Sequence, residues 1–389
     1  MSPEDLCPRP DFLPPLPTQP MTPALYTSAV YRCQSPEQAR QLLAGESWGY
    51  VYSRDAHPNG DQLAEKCREL HGAARAAVCG SGMAALSAGI LAQVSAGDHV
   101  IASRYLYGRS LGLMNGELPR FGVAASVVDT CDLRAVEASF MPNTKLIVVE
   151  TISNPLLRVA DLKALAKLAH QNGARLLVDN TFAGPTICRP LEHGADLVME
   201  SLTKIMNGHS DVLLGLLCGH EEAWTKVPYV IATWGFSASP FDCWMAMRGL
   251  GTLALRAERA NHNARVAAEY LMTRPEVTSV HYPSLDSHPD HGLAARLLHG
   301  GCGSIVTFTL SGGTEAAAQF IARAQRIAFS PSLGDLSTTL SHPESTSHRT
   351  LSPEDRAALG IEGGTIRLSL GIESAQAVCD ALAEGLWPA

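Results

Sequence analysis

Aromatic residues make up only 6% of the 389 residues and charged ones only 17%, with 38 Asp+Glu against 30 Lys+Arg and no long basic run. A main partner that is nucleic acid or an anionic membrane is excluded, because such binding needs clustered Lys and Arg. Long hydrophobic runs are also missing. The longest, such as 212–218, fall far short of the roughly 20 apolar residues that cross a bilayer. No Cys-x-x-Cys pair occurs among the ten cysteines at 7, 33, 67, 79, 131, 188, 218, 243, 302 and 379. Neither a zinc site nor a disulfide framework follows from that spacing, and they read as reduced thiols, mostly buried. The first twenty residues carry Glu4 and Asp5 and lack the basic-then-apolar order of a secretory signal, so a cytoplasmic protein is expected. No repeat of fixed period is seen. What is present, 46% hydrophobic residues spread over the whole length, is a globular composition. At about 100–200 residues per domain it predicts two or three domains with a small-molecule partner.

Prolines at 3, 8, 10, 14, 15, 17, 20 and 23 prevent a continuous helix and disfavour a central strand, so the first fifty or so residues read as an extended arm. Such an arm has little to pack on in a compact monomer and is expected to lie on a neighbouring subunit. From about residue 61, helical spacing over Asp61–His71, Met83–Val94 and Asp161–Asn172 alternates with short runs that are apolar on both faces. These runs are Val100–Ser103, Ala125–Asp129, Leu146–Glu150, Leu176–Asp179 and Leu197–Glu200. Strands apolar throughout belong inside a helix-covered parallel sheet, so the class is α/β, with functional loops at the C-terminal strand ends. A long helical stretch from Pro240 to about Arg274 leads to a smaller α/β region. There, strand-like Val277–Tyr282, Ser304–Leu310 and Thr365–Ser369 alternate with helical Glu315–Ala324 and Ala375–Leu386.

Several polar residues fall where strands end. Cys79-Gly80-Ser81-Gly82-Met83 follows an apolar run and opens a helix. Its backbone N–H groups suit a phosphate, although such a turn is more often only a tight connection and matches neither the P-loop nor the dinucleotide fingerprint. Asp179 closes Leu176-Leu177-Val178. It is either a turn residue or a partner for a cationic ring nitrogen. Lys204, in Ser201-Leu202-Thr203-Lys204-Ile205-Met206, has an apolar setting unusual for a solvated lysine. Desolvation makes an amine nucleophilic and fit to condense with a carbonyl, and the two hydroxyls beside it suit a phosphate. An aldehyde, a phosphate and a ring nitrogen occur together in pyridoxal 5′-phosphate.

From about Tyr50 to the C-terminus the chain resembles the pyridoxal-phosphate enzymes of cysteine and methionine metabolism. This is the transsulfuration group of cystathionine γ-synthase, cystathionine γ-lyase, cystathionine β-lyase, methionine γ-lyase and O-acetylhomoserine sulfhydrylase. The matching segments are Tyr52-Ser53-Arg54, Gly82-Met83, Tyr107-Gly108-Arg109-Ser110, Glu150-Thr151-Ile152-Ser153-Asn154-Pro155, Val178-Asp179-Asn180-Thr181, Ser201 to Asp211, Ser332-Leu333-Gly334-Asp335 and Arg367 to Glu373. The resemblance implies a fold-type I enzyme with an arm over 1–55, a cofactor domain over 56–250 and a substrate-carboxylate domain over 251–389. Lys204 would carry the cofactor and act as base. Tyr107 would stack on the ring, Asp179 would hold its nitrogen, and Asn154 would meet its phenolic oxygen. Gly82, Met83, Ser201 and Thr203 would bind the phosphate, joined across a subunit interface by a partner's Tyr52 and Arg54. Ser332, Arg367 and Asn154 would hold the substrate α-carboxylate, with Arg367 as its bidentate partner. A homo-oligomer, commonly a tetramer, is implied.

Three departures bear on the substrate. His57-Pro58-Asn59 stands where relatives usually have Asn-Pro-Thr, Arg109 where they often have Gly or Cys, and Ser337 where readers of cystathionine's distal amino group have Glu. Arg109 is thus expected near the substrate pocket. The leading expectation is a C–S lyase of the γ-elimination type, with γ-replacement on an O-acylhomoserine as the alternative, since residues 342–348 resemble the sulfhydrylases. A fold kept only for binding or assembly is disfavoured, because it has no use for Tyr107, Asp179, Lys204 and Arg367 together. His288 and His291, with Asp290 between them, read as surface loop residues because no third and fourth ligand has site spacing. His209 reads as a structural residue packed near the site. No cysteine is assigned a role.

Overall fold

Seven short strands build the larger sheet: β1 (Arg75–Cys79), β2 (His99–Ser103), β3 (Ala124–Val128), β4 (Thr144–Glu150), β5 (Arg175–Asp179), β6 (Leu197–Ser201) and β7 (Gly215–Gly219). They lie in the order β1-β7-β6-β5-β4-β2-β3. The computed structural model describes residues 18, 20–349 and 351–386. Alternate residues of β4 point to opposite faces, as a strand period of two requires. Leu146 and Val148 enter one apolar layer with Leu86 of the helix Gly82–Leu91, while Ile147 and Val149 enter the other with Leu165 of the helix Leu162–Gln171. Burial on both faces is why β4, β5 and β6 read as unbroken apolar runs.

β7 pairs antiparallel with both β6 and β1. Two reversals leave β1 running with β4, β5 and β6, so the turn after Cys79 emerges at the same sheet edge as Glu150, Asp179 and Ser201. The smaller sheet holds β8 (Val277–His281), β9 (Ile305–Leu310), β10 (Ala328–Phe329), β11 (Thr339–Ser341) and β12 (Thr365–Ser369), in the order β10-β11-β12-β9-β8. Phe308 of β9 packs edge-on against Phe320 of the helix Gly313–Arg323.

Several expectations are corrected. The stretch from Pro240 is two helices, Pro240–Leu250 and Leu253–Met272, separated at Gly251 and Thr252. β3 is an edge strand paired with β2 and partly exposed, so its apolar residues are not buried on both faces as those of an interior strand would be. Within the expected arm, Pro36–Leu43 is a helix. Its proline occupies the first turn, where no N–H partner is lost, and Ser35 caps it. Residues 23–31 lie along their own chain: Trp244 donates to Pro23 O, Asn59 bonds Ala24 O and Tyr26 N, and Val30 pairs with Tyr52. The backbone carries these contacts, leaving Tyr26 and Val30 exposed. Residues 1–17 of the arm, and Cys7, fall outside the described residues. Of the nine described cysteines five are buried and all are free. Among the described residues no helix is long and apolar enough to cross a membrane.

Candidate active site

Polar residues that end adjacent strands converge at that shared edge, around a cavity of about 260 Å³. Gly82, Met83, Tyr107, Asn154, Asp179, Ser201, Thr203, Lys204, Ser332 and Arg367 all line it. Tyr52 and Arg54 do not. Arg54 stacks on Tyr52 at 5.0 Å and lines a separate cavity with Asp55 and His57. Arg109 is exposed and does not itself line the cavity, although Tyr107 and Ser110 on either side of it do. Ser337 is exposed as well.

Lys204 is partly buried, and its Nζ donates to Ser332 Oγ at 2.8 Å. Burial, then the nearby Arg367 guanidinium, holds its amine below the ordinary lysine range, which favours the neutral nucleophile. The loop behind it is held from below. Arg256 is buried and donates to Ile205 O at 2.6 Å, Met206 O at 3.0 Å and Gly249 O at 2.8 Å. Gly334, at φ +78°, packs so closely that a Cβ there would lie 2.4 Å from Ile205 N. Arg256 is an unremarkable helix position in the sequence, and only its contacts reveal this role.

Asp179 accepts from Thr181 N–H at 2.9 Å, and burial pushes its carboxyl up to about 6. A cationic partner would reverse that. Arg367 sits on β12 between Thr307 and Ser341. It is buried, and donates to Asn154 Oδ1 at 2.8 Å and Ser332 O at 2.9 Å, while its Nε has no partner. Burial draws it down to about 10. Among the described residues no carboxylate pairs with it, so it is an anion receptor in waiting.

At the phosphate end, Ser81 caps the helix Gly82–Leu91 by accepting from Ala84 N–H at 3.1 Å. The first N–H groups of that helix have no partner within it and favour an anion. A Cβ at Gly82 would lie 2.9 Å from Ser201 Cβ, so the turn and the hydroxyl strand are in close contact. Thr203 Oγ1 accepts from Leu214 N–H at 3.1 Å, tying this strand end to the approach to β7.

Other wall residues had carried no assigned role. Ser110, Thr181, Phe182, Leu213 and Ser347 line the cavity. Thr181 and Phe182 directly follow Val178-Asp179-Asn180, the adjacency through which sequence could have found them. His288 is buried rather than a surface residue, with Nδ1 accepting from Asp290 N–H at 3.2 Å. Asp290 is itself bonded to Arg158. No group of three or more metal-ligating side chains occurs among the described residues. His209 is exposed rather than packed, with Nδ1 2.6 Å from Asn207 O.

A desolvated lysine, a half-buried carboxylate awaiting a cation, a helix start facing a serine and a buried guanidinium with no carboxylate partner among the described residues define an enzyme that holds a phosphorylated carbonyl cofactor and an amino-acid carboxylate. The family described as Cys/Met metabolism pyridoxal-phosphate-dependent enzymes matches residues 14–387. The chain is 39% identical to the L-methionine γ-lyase of Porphyromonas gingivalis, covering 93% of this chain and 91% of that one. It is also 39% identical to the O-succinylhomoserine sulfhydrylase of Pseudomonas aeruginosa, covering 93% and 90%. The cystathionine γ-synthase of Xanthomonas oryzae pv. oryzae, solved with aminoacrylate and cysteine, superposes at a TM-score of 0.89 with 35% identity, over 94% of this chain and 92% of that one. The protein belongs to this pyridoxal-phosphate-dependent family, has its fold-type I architecture and uses pyridoxal 5′-phosphate.

Gly82→Ala is expected to weaken cofactor retention by about tenfold, since the methyl group must push Ser201 away from the phosphate turn. Dialysis followed by measurement of residual absorbance checks this, and unchanged retention refutes it.

The acidity of Asp179 predicts a pH dependence. Its folded value is raised, so the cofactor-free folded state binds the proton more tightly than the unfolded chain. This acid therefore costs stability as pH rises from about 4 to about 6. A ring-nitrogen cation removes that cost. The gain in melting temperature on adding pyridoxal phosphate should grow across that window, and grow less in Asp179→Asn. A gain that is flat with pH in the unmodified protein contradicts this.

Proposed function

We propose that the protein is a carbon–sulfur lyase catalysing γ-elimination from methionine-, homocysteine- or cystathionine-like amino acids, releasing a thiol, a 2-oxo acid and ammonia. The observation that carries this reading is the meeting of Lys204, Asp179 and the unpaired Arg367 in one cavity. The methionine γ-lyase relative supports it. No acid stands at position 337 to read a distal amino group, which disfavours cystathionine within the substrate class.

Bound here, pyridoxal phosphate supplies an aldehyde for capturing an amine and a ring that draws negative charge away from the substrate Cα. Arg367, steadied by Asn154, grips the α-carboxylate and thereby fixes the direction of the Cα–H bond. Lys204 Nζ, its acidity raised by desolvation and its position steadied by Ser332, takes the Cα proton and returns it at later positions. Asp179 keeps the ring-nitrogen proton in place. Tyr107, at the cavity mouth and 42% exposed, assists proton movement at Cβ and the leaving sulfur. Gly82, Met83, Ser201 and Thr203 hold the phosphate.

The second reading is γ-replacement on an O-acylhomoserine, favoured by the sulfhydrylase relative and by Ser347, within the 342–348 segment, lining the cavity. Measuring 2-oxo acid from each sulfur amino acid, with and without an added thiol, separates the two readings. No 2-oxo acid from any of them removes the lyase, and no thioether or homocysteine from O-acylhomoserine with sulfide or cysteine removes the alternative.

The same reading assigns residues 1–55 to the arm, 56–250 to the cofactor domain and 251–389 to the carboxylate domain. It takes Tyr52 and Arg54, which lie outside the cavity of their own chain, to complete the phosphate site of a second copy. On that reading the catalytic unit is at least a dimer, proposed as half of a cytoplasmic dimer of dimers.

A further inference from the structure

Glu150 is the last residue of β4 and stands opposite Asp179 in the sheet register. It is buried at 7% exposure, and both its oxygens are committed. Oε1 accepts the Tyr107 N–H at 2.6 Å and Oε2 accepts the Asn154 N–H at 3.2 Å. Asn154 in turn accepts from Arg367. One carboxylate thus ties two segments that leave different strands, the one after β2 that carries the tyrosine and the one after β4 that carries the asparagine. Placing it there is costly, because burial and the facing Asp179 both push its acidity well away from the ordinary carboxylate range. A neutral side chain would fill the same corner without that cost. A carboxylate offers a separate oxygen to each N–H, whereas an amide of the same shape would present its NH2 group to one of them.

We propose that Glu150 is a positioning residue of the active site. It holds Tyr107 and Asn154 at a fixed separation and, through Asn154, keeps the guanidinium of Arg367 in step with the aromatic wall. The proposal rests on the pyridoxal-phosphate reading above for its catalytic consequence, and on the backbone contacts alone for its structural one.

Glu150→Gln tests it in the holoenzyme, because the amide replaces one of the two accepting oxygens with an NH2 donor that faces an N–H. Expected are a visible cofactor band like that of the unmodified protein and amide hydrogen exchange faster by about tenfold in both segments 104–109 and 151–156. A fall in kcat/KM of about tenfold to a hundredfold, shared between kcat and KM, should accompany them. Glu150→Asp, which keeps the carboxyl group but is one methylene shorter, should show the same paired change and serves if the amide variant does not fold. Unchanged exchange in either segment overturns the proposal. So does exchange that rises throughout the protein in step with a lowered melting temperature, since that marks a merely structural residue. If the unmodified protein showed neither cofactor band nor turnover, the reading of the reaction would fail, and the exchange comparison, which needs no turnover, would still decide the positioning.

Discussion

Lys204→Ala is expected to abolish the absorption band that marks covalent attachment of pyridoxal phosphate and to lower turnover by at least about a thousandfold. The size of the effect follows from two tasks performed by one atom. Among the described residues Nζ is the only amine on the cavity wall, because every other lining residue is neutral, acidic or a guanidinium. Its removal deletes both the attachment point and the base placed to move the Cα proton. The rest of the site should survive. The loop around position 204 is shaped by Arg256, Gly334 and the Lys204 main-chain N–H to Ser201 O rather than by the lysine side chain. The variant should therefore fold and bind the cofactor reversibly. Lys204→Arg should be as inactive, since a guanidinium does not deprotonate at working pH. A covalent band retained in Lys204→Ala would remove this lysine from the mechanism.

The second large effect is expected from Arg367→Ala, which should lower kcat/KM by about a hundredfold to a thousandfold, mainly through KM. A buried cation facing no carboxylate is costly to the free protein and gains its compensation when an anion enters. The incoming α-carboxylate is that anion. Arg367→Lys should recover only part of the loss, because an ammonium reproduces the charge but not the planar pair of donors, and it cannot reach Asn154 and Ser332 together as the guanidinium does. Steady-state kinetics with one sulfur amino acid and with its decarboxylated amine checks the assignment. If the variant discriminates between the two as strongly as the unmodified protein, the carboxylate is held elsewhere.

Much of this site is legible in the sequence. Leu146–Glu150, Leu176–Asp179 and Leu197–Glu200 are buried on both faces, so their apolar runs end sharply at polar residues, and those residues mark the functional edge. β7 was harder to read. Gly215 and Gly219 bound a run too short to tell from other buried segments, and its antiparallel placement depends on partners distant in sequence. The prolines of the first fifty residues suggested an arm bound to another subunit. Apart from the Tyr31 ring against Tyr50, the contacts of residues 23–31 run from their backbone atoms to Asn59, Trp244 and the chain near Tyr52, which a side-chain pattern does not encode. His288 looked like a surface residue because its neighbours are turn formers, yet the Arg158–Asp290 pair beside it closes that turn over a buried ring. Glu150 was visible as the first letter of a motif, but which two N–H groups it would meet depends on where the chain after β2 turns.

The Arg256 contacts have a consequence for working conditions. A guanidinium held by three main-chain carbonyls is anchored to dipoles that neither titrate nor exchange their partner for a dissolved ion. Exposed pairs such as Arg40 with Glu37 and Glu46 loosen as salt rises. The support beneath Lys204 has no such dependence, so the bed on which the reactive amine rests keeps its shape through changes of ionic strength and acidity that rearrange the protein's surface.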